Sequence, residues 1–105
     1  MTITRLIKKY NFVKYTEKSD PDTIYYSFPS SIPSDGHAMR ICNGEISMAG
    51  FIMLDDNTIC YCNWVLPTKP DEHIRKLHKQ LIECSKQYKT IQIKRKIVEL
   101  EEDFK

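Results

Sequence analysis

Ile3, Leu6, Ile7 and Tyr10 repeat at the spacing of one helical face, so the pattern predicts a short opening helix, with Thr2 or Thr4 placed to cap it. The run Tyr10–Tyr15 equally suits the start of a strand. Residues 17–22 gather Ser, Asp and Pro and read as a loop. Thr23–Phe28 is β-branched and aromatic and reads as a strand that ends at Pro29. A second loop, residues 30–36, carries the turn pair Asp35-Gly36. His37–Cys42 predicts another short strand, and Asn43-Gly44 is the strongest hairpin signal in the chain.

Ile46–Leu54 is apolar on both faces, with Ile46, Met48, Ile52 and Leu54 on one and Ala49, Phe51 and Met53 on the other. Such a run is buried on both sides or covered by a partner. Asp55-Asp56-Asn57 is a turn, and Thr58–Leu66 returns. Residues 37–66 therefore predict a three-stranded antiparallel meander.

Pro67 and Pro70 break the sheet, and Pro70, Asp71 and Glu72 suit the first turn of a helix. From there to Phe104 no Gly or Pro intervenes. Leu77, Leu81, Cys84, Tyr88 and Ile91, after Ile74, keep a heptad-like spacing. The phase then slips to Ile93, Ile97, Leu100 and Phe104. Either the helix breaks near Lys89–Gln92, or one helix changes the surface it packs on.

A helix of ~33 residues spans ~50 Å at ~1.5 Å each. A domain of this length is roughly 35 Å across, so the helix overhangs. Its acidic end, Glu99 to Asp103, opposes the helix dipole and matches the basic stretch 75–96 of an antiparallel second copy. Leu77, Leu81, Cys84, Tyr88, Ile91, Ile97, Leu100 and Phe104 are therefore expected to form a coiled-coil-like interface of a homo-oligomer, a two-fold dimer. The competing arrangement is a helical hairpin within one chain.

The expected architecture is α+β: a small antiparallel sheet of three to five strands, then a long or once-broken C-terminal helix. It forms one domain over 1–105, with 1–69 mainly β after a short N-terminal helix and 70–105 a helical oligomerisation region. The 105 residues are 41% hydrophobic and 29% charged, which excludes a disordered chain, a solenoid or a large catalytic barrel. The apolar runs are too short to span a membrane, and no apolar leader follows Met1, so a cytoplasmic protein is expected. Cys42, Cys60, Cys62 and Cys84 are then expected as free thiols.

Net charge is +2, too small to imply nucleic acid by itself. Its distribution is uneven. Residues 75–96 hold Arg75, Lys76, Lys79, Lys86, Lys89, Lys94, Arg95 and Lys96 against Glu83 alone. This stretch supports nucleic-acid binding as one reading, although the cations are expected to spread around the helix rather than line one stripe.

The remaining chemistry is thin. Cys42, Cys60, Cys62, His73, His78 and Cys84 are zinc-type residues, but they lack the knuckle spacing of a structural site. His37, His73 and His78 could serve a cysteine nucleophile, yet no motif marks an activated thiol. No glycine-rich phosphate loop is present. No metal, cofactor or enzymatic activity is expected. Arg40 and Arg75 beside Tyr25, Tyr26 and Trp64 are the best candidates for a small anionic ligand, with Arg for a phosphate and the rings for a base. Adjacent Tyr25 and Tyr26 must face opposite sides of one strand.

The expected function is that of a small binding protein that inhibits or regulates a partner, such as a host protein targeted by a phage-type antagonist of host defence. The alternatives are sequestration of a nucleotide-type signal and nucleic-acid binding through 75–96.

Overall fold

A computed structural model describes residues 2–103, with side chains through Val98. Helix α1 (Ile3–Lys9) is capped by the Thr2 hydroxyl, which accepts from the Arg5 N–H, and carries Lys8 and Lys9 in its last turn. Six strands follow: β1 (Val13–Glu17), β2 (Asp20–Ser27), β3 (Ser34–Asp35), β4 (Met39–Cys42), β5 (Glu45–Asp55) and β6 (Thr58–Val65). They form one sheet in the order β1-β2-β4-β5-β6-β3. Helix α2 (Pro70–Asp103) closes the chain.

The architecture is α+β, as expected, with more strands than the expected three to five and a mixed rather than antiparallel sheet. The meander β4-β5-β6 stands where its turns placed it. Asn43 and Gly44 both have positive φ, at 51° and 78°, and so do Asp56 and Asn57, at 43° and 68°. Both tight hairpins thus use the backbone twist that two-residue connections prefer. Strand β1 pairs antiparallel with β2, so the expected loop 17–22 shrinks to a turn at Lys18 and Ser19. Pro21 is tolerated there because β2 meets β4 only from Thr23 onward. Strand β3, inside the second expected loop, pairs parallel with Ile59 and Cys60 at the far edge. Gly36 follows it at φ 87°, where a Cβ would lie 3.2 Å from both the Cβ and the carbonyl oxygen of Tyr61.

Helix α2 is continuous over 34 residues, with no break at Lys89–Gln92. It lies on one face of the sheet. Ile74, Leu77, Leu81 and Cys84 are buried there in one core with Met39, Met48, Ile52, Ile59 and Leu6. Tyr10, Phe12, Phe28 and His78 form an aromatic cluster between α1, α2 and β2, with the Tyr10 ring 5.1 Å from His78 and 5.8 Å from Phe28. The heptad-like seam is real, but its first half serves this chain's own core. Leu77, Leu81 and Cys84, expected at an interface between copies, are 0%, 7% and 5% exposed within one chain. A period identifies the apolar face of a helix and not the surface that covers it. Tyr88 and Ile91 are half-buried, whereas Ile97 is 50% exposed. The Leu100 side chain and Phe104 lie outside the described residues.

Strand β4 reaches only as far as Met48 of its neighbour, with one further bond from the Ala49 N–H to the Ala38 carbonyl. Strand β5 runs on to Asp55. Two side chains of α2 serve its main chain along this stretch: His73 Nε2–H donates to the Ala49 carbonyl at 2.6 Å, and the Gln80 amide oxygen accepts from the Ile52 N–H at 2.8 Å. Farther along α2, the Asn57 side-chain oxygen, turned toward Arg95, accepts from Nη1 and Nη2 of its guanidinium at 2.6 and 3.1 Å. The helix is thus pinned to the β5-β6 turn at Arg95 and projects beyond it. The molecule measures 60 × 31 × 22 Å, and its long axis agrees with the expected overhang.

Candidate functional site

The sheet face away from α2 carries an aromatic and cationic cluster. Strand alternation sends Thr23, Tyr25 and Ser27 of β2 to this face and Tyr26 to the other. Tyr25 pairs with Arg40, Arg40 with Ser47, and Ala49 with Trp64. Strands β2 and β6 are three places apart, ~14 Å in a flat sheet at ~4.8 Å per strand. The Tyr25 and Trp64 ring centroids are nevertheless only 6.4 Å apart. The two rings lean together over a curled sheet. Small residues allow this: Thr23, Ser27, Ser47 and Ala49 lie buried beneath them. Asn63, at φ 63°, interrupts the extended backbone one residue before Trp64.

Arg40 stacks its guanidinium 4.5 Å from the Trp64 ring centroid. This cation–π contact holds a long side chain in place and leaves its donors free at the ring edge. His37 lies between Tyr15, 5.1 Å away, and Tyr25, 4.8 Å away. Its Nδ1 is 2.8 Å from the Ser27 hydroxyl. Burial lowers the His37 pKa, and the nearby Glu17 carboxylate opposes that shift. The imidazole is therefore mainly neutral near pH 7.

A groove of about 390 Å³ opens beside the cluster, lined by Tyr25, Arg40, Ser47, Asp20, Glu45 and Asn43, among others. Its volume is that of a small-ligand site, and its walls carry both charge signs. Phe51 and Met53 continue the same face along β5, 40% and 44% exposed. Val13 and Tyr15 flank it on β1, 41% and 45% exposed.

Three of the five expected ligand residues, Tyr25, Arg40 and Trp64, therefore meet. The other two do not. Tyr26 turns to the helix side, its ring 6.5 Å from Phe12. Arg75 sits on α2, beyond the sheet, in a separate groove with Lys9, Asn11 and His78. His37, Tyr15, Ser27 and Ser47 complete the cluster. Their only sequence signal was strand alternation, which cannot foresee how far a sheet curls.

The reactive residue types are in settled places. His73 is held by the Ala49 carbonyl and His78 by aromatic rings. Cys84 is buried, and burial raises its thiol pKa. The Cys60 pKa is raised too, by desolvation and then by Asp55, Asp35 and Cys62. Both shifts disfavour the thiolate that a nucleophile requires. All four cysteines are free thiols. Among the described residues no three His, Cys, Asp or Glu side chains gather as a metal-binding set, and no helix is long and apolar enough to cross a membrane. Comparison of the chain with protein-family models, curated proteins and solved structures returned no match.

Proposed function

We propose that this is a cytoplasmic binding protein that inhibits or regulates a partner protein docked on the curled sheet face. One observation carries the reading: Trp64, Tyr25, Tyr15 and Arg40 are gathered, half-exposed, on a face that α2 does not cover, linked by tilted ring contacts through His37 and by Arg40 over Trp64. Trp, Tyr and Arg are the residues that dominate binding energy at protein interfaces. These contacts hold them in place before a partner arrives, so little side-chain entropy is lost on docking. Exposed Val13, Phe51 and Met53 enlarge the patch. The test is quantitative affinity capture with wild type, Trp64→Ala and Ile97→Ala. A partner retained by wild type and Ile97→Ala but lost by Trp64→Ala supports the reading. Equal retention by all three removes this face from the interaction.

A nucleotide-type ligand is the second reading, favoured by the guanidinium-on-indole arrangement beside the 390 Å³ groove. Asp20 and Glu45 in the groove wall weigh against a phosphate there. A thermal shift with micromolar nucleotide that Arg40→Ala abolishes would favour it over a protein partner.

Self-association is proposed through the projecting part of α2. There Ile93, Ile97 and Val98 are 50–59% exposed, and Ile91, Lys94, Arg95 and Val98 line an apolar groove. Ile97→Asp should convert a dimer to a monomer by mass in solution. An unchanged mass removes the helix end as the interface.

A further inference from the structure

The outward face of α2, on the opposite side of the molecule from the curled face, carries more charge organisation than a solvated helix requires. At ~100° per residue, Arg75, Lys79, Lys86, Lys89 and Lys96 fall within about 100° of one another. All five are exposed. They lie across the helix from Ile74, Leu77, Leu81 and Cys84, which face the core. The cations therefore do not spread evenly around the helix, as the sequence suggested. Most form one ridge, with Lys76 on its shoulder, while Arg95 is turned inward to Asn57. At the N-terminal end of the ridge, Lys9 of α1 joins Arg75 and His78 around a groove of about 580 Å³. Three carboxylates lie on or beside the ridge: Asp71, one turn before Arg75 and within the same arc, Glu83, which pairs with Lys86 at 3.6 Å, and Glu72, which pairs with Lys69 at 3.9 Å, both of these pairs being largely exposed.

We infer that this ridge docks on the phosphate backbone of a nucleic-acid duplex, a second binding function separate from the curled face. Geometry supports a rigid polyanion. From Arg75 to Lys96 the ridge runs ~31 Å, at ~1.5 Å per residue. That length is close to one ~34 Å turn of a duplex, so a straight ridge laid along it meets phosphates of both strands where they cross its path. Pinning by Arg95, Gln80 and His73 holds the helix on the sheet, so the cations are presented in a fixed line. A single strand is a poorer match. Its binders stack bases on aromatic platforms, and the ridge positions between the cations are occupied by Ile82 and Ile93 rather than by rings. Those two isoleucines also make a poor membrane face, which calls for a broad stripe of Trp, Phe or Leu. No side chain on the ridge is arranged to read bases, so binding is independent of sequence and set by counterion release.

The test is fluorescence anisotropy of a labelled duplex of about 25 base pairs, titrated with full-length protein between 50 and 200 mM salt. Each phosphate neutralised adds ~0.9 to the slope of log affinity on log salt, so the five cations set its limit near −4.5, a loss of up to about 500-fold over that range. Lys79→Glu with Lys86→Glu should weaken binding by ~10-fold or more and flatten the slope, while Trp64→Ala leaves it unchanged. Circular dichroism of the double variant should match wild type, since both positions are exposed. The inference is overturned by any of three results: no duplex binding at 50 mM salt, a loss with Trp64→Ala equal to that of the ridge variant, or binding to phosphatidylserine vesicles without binding to duplex.

Discussion

Leu77→Ala separates a helix that serves its own core from one that serves a second copy. The Leu77 side chain is 0% exposed, between α2 and the sheet. Truncation removes its transfer free energy and leaves a cavity that a helix pinned at His73 and Gln80 cannot collapse into. Leu→Ala losses at such sites run about 3–5 kcal/mol. We expect about 3–4 kcal/mol here, a lowering of Tm by roughly 12–20 °C at about 4–5 °C per kcal/mol. The control is Leu66→Ala, a leucine 64% exposed after β6, which should cost under ~0.5 kcal/mol. Urea unfolding followed by circular dichroism gives both values, and an unchanged m-value confirms that stability alone moved. The difference between Leu77→Ala and wild type should not vary across a hundredfold range of protein concentration, because the contact lies within one chain. The reasoning is refuted if Leu77→Ala costs no more than Leu66→Ala, or if its effect grows on dilution.

Gly36→Ala should destabilise by about 1–3 kcal/mol, since the residue is left-handed and its new methyl meets Tyr61 at 3.2 Å; a Tm equal to wild type would show that the β3 crossover yields. Burial pushes the Tyr61 phenol up to about 12 from 10. A raised folded-state pKa means stability present below pH 10 and lost as pH rises toward 12, and Tyr61→Phe should flatten that loss in pH-dependent unfolding. Desolvation lowers the His37 pKa, so the stability tied to its neutral form is held above pH 6.5 and lost as pH falls through the folded-state value. An NMR titration should give a midpoint below 6.5, and Glu17→Gln should lower it further by removing the opposing carboxylate; a rise instead would deny the contact.

Local signals made the centre of the fold legible. Asn43-Gly44 and Asp56-Asn57 specify tight turns wherever they occur, so the meander between them needed no tertiary information. The edges were harder. The run Tyr10–Tyr15 suited a strand as well as a helix, and with all five residues of β1 exposed no burial decided between them; pairing with β2 did. Ser34 and Asp35 become a strand only because Ile59 and Cys60 lie beside them. The seam of α2 was visible from its period, but a period carries no address, and Leu77, Leu81 and Cys84 went to the sheet. At the candidate site, Tyr25, Arg40 and Trp64 were readable as residue types. Arg75 and Tyr26 were misplaced because the side of the sheet each occupies depends on register and docking rather than on composition.

The service that α2 gives to β5 has a consequence for how the molecule opens. The Ile52 amide is protected by the side chain of Gln80, whereas the main chain of the hairpin is held by other strands. Lifting the helix alone would expose this amide to solvent while most of the sheet stayed closed. Its hydrogen-exchange rate is therefore a private clock for helix undocking. The same event uncovers a strand edge that includes exposed Phe51 and Met53, an invitation to pair with another chain. His73 and Gln80 thus act as a guard against aggregation as well as fasteners of the fold.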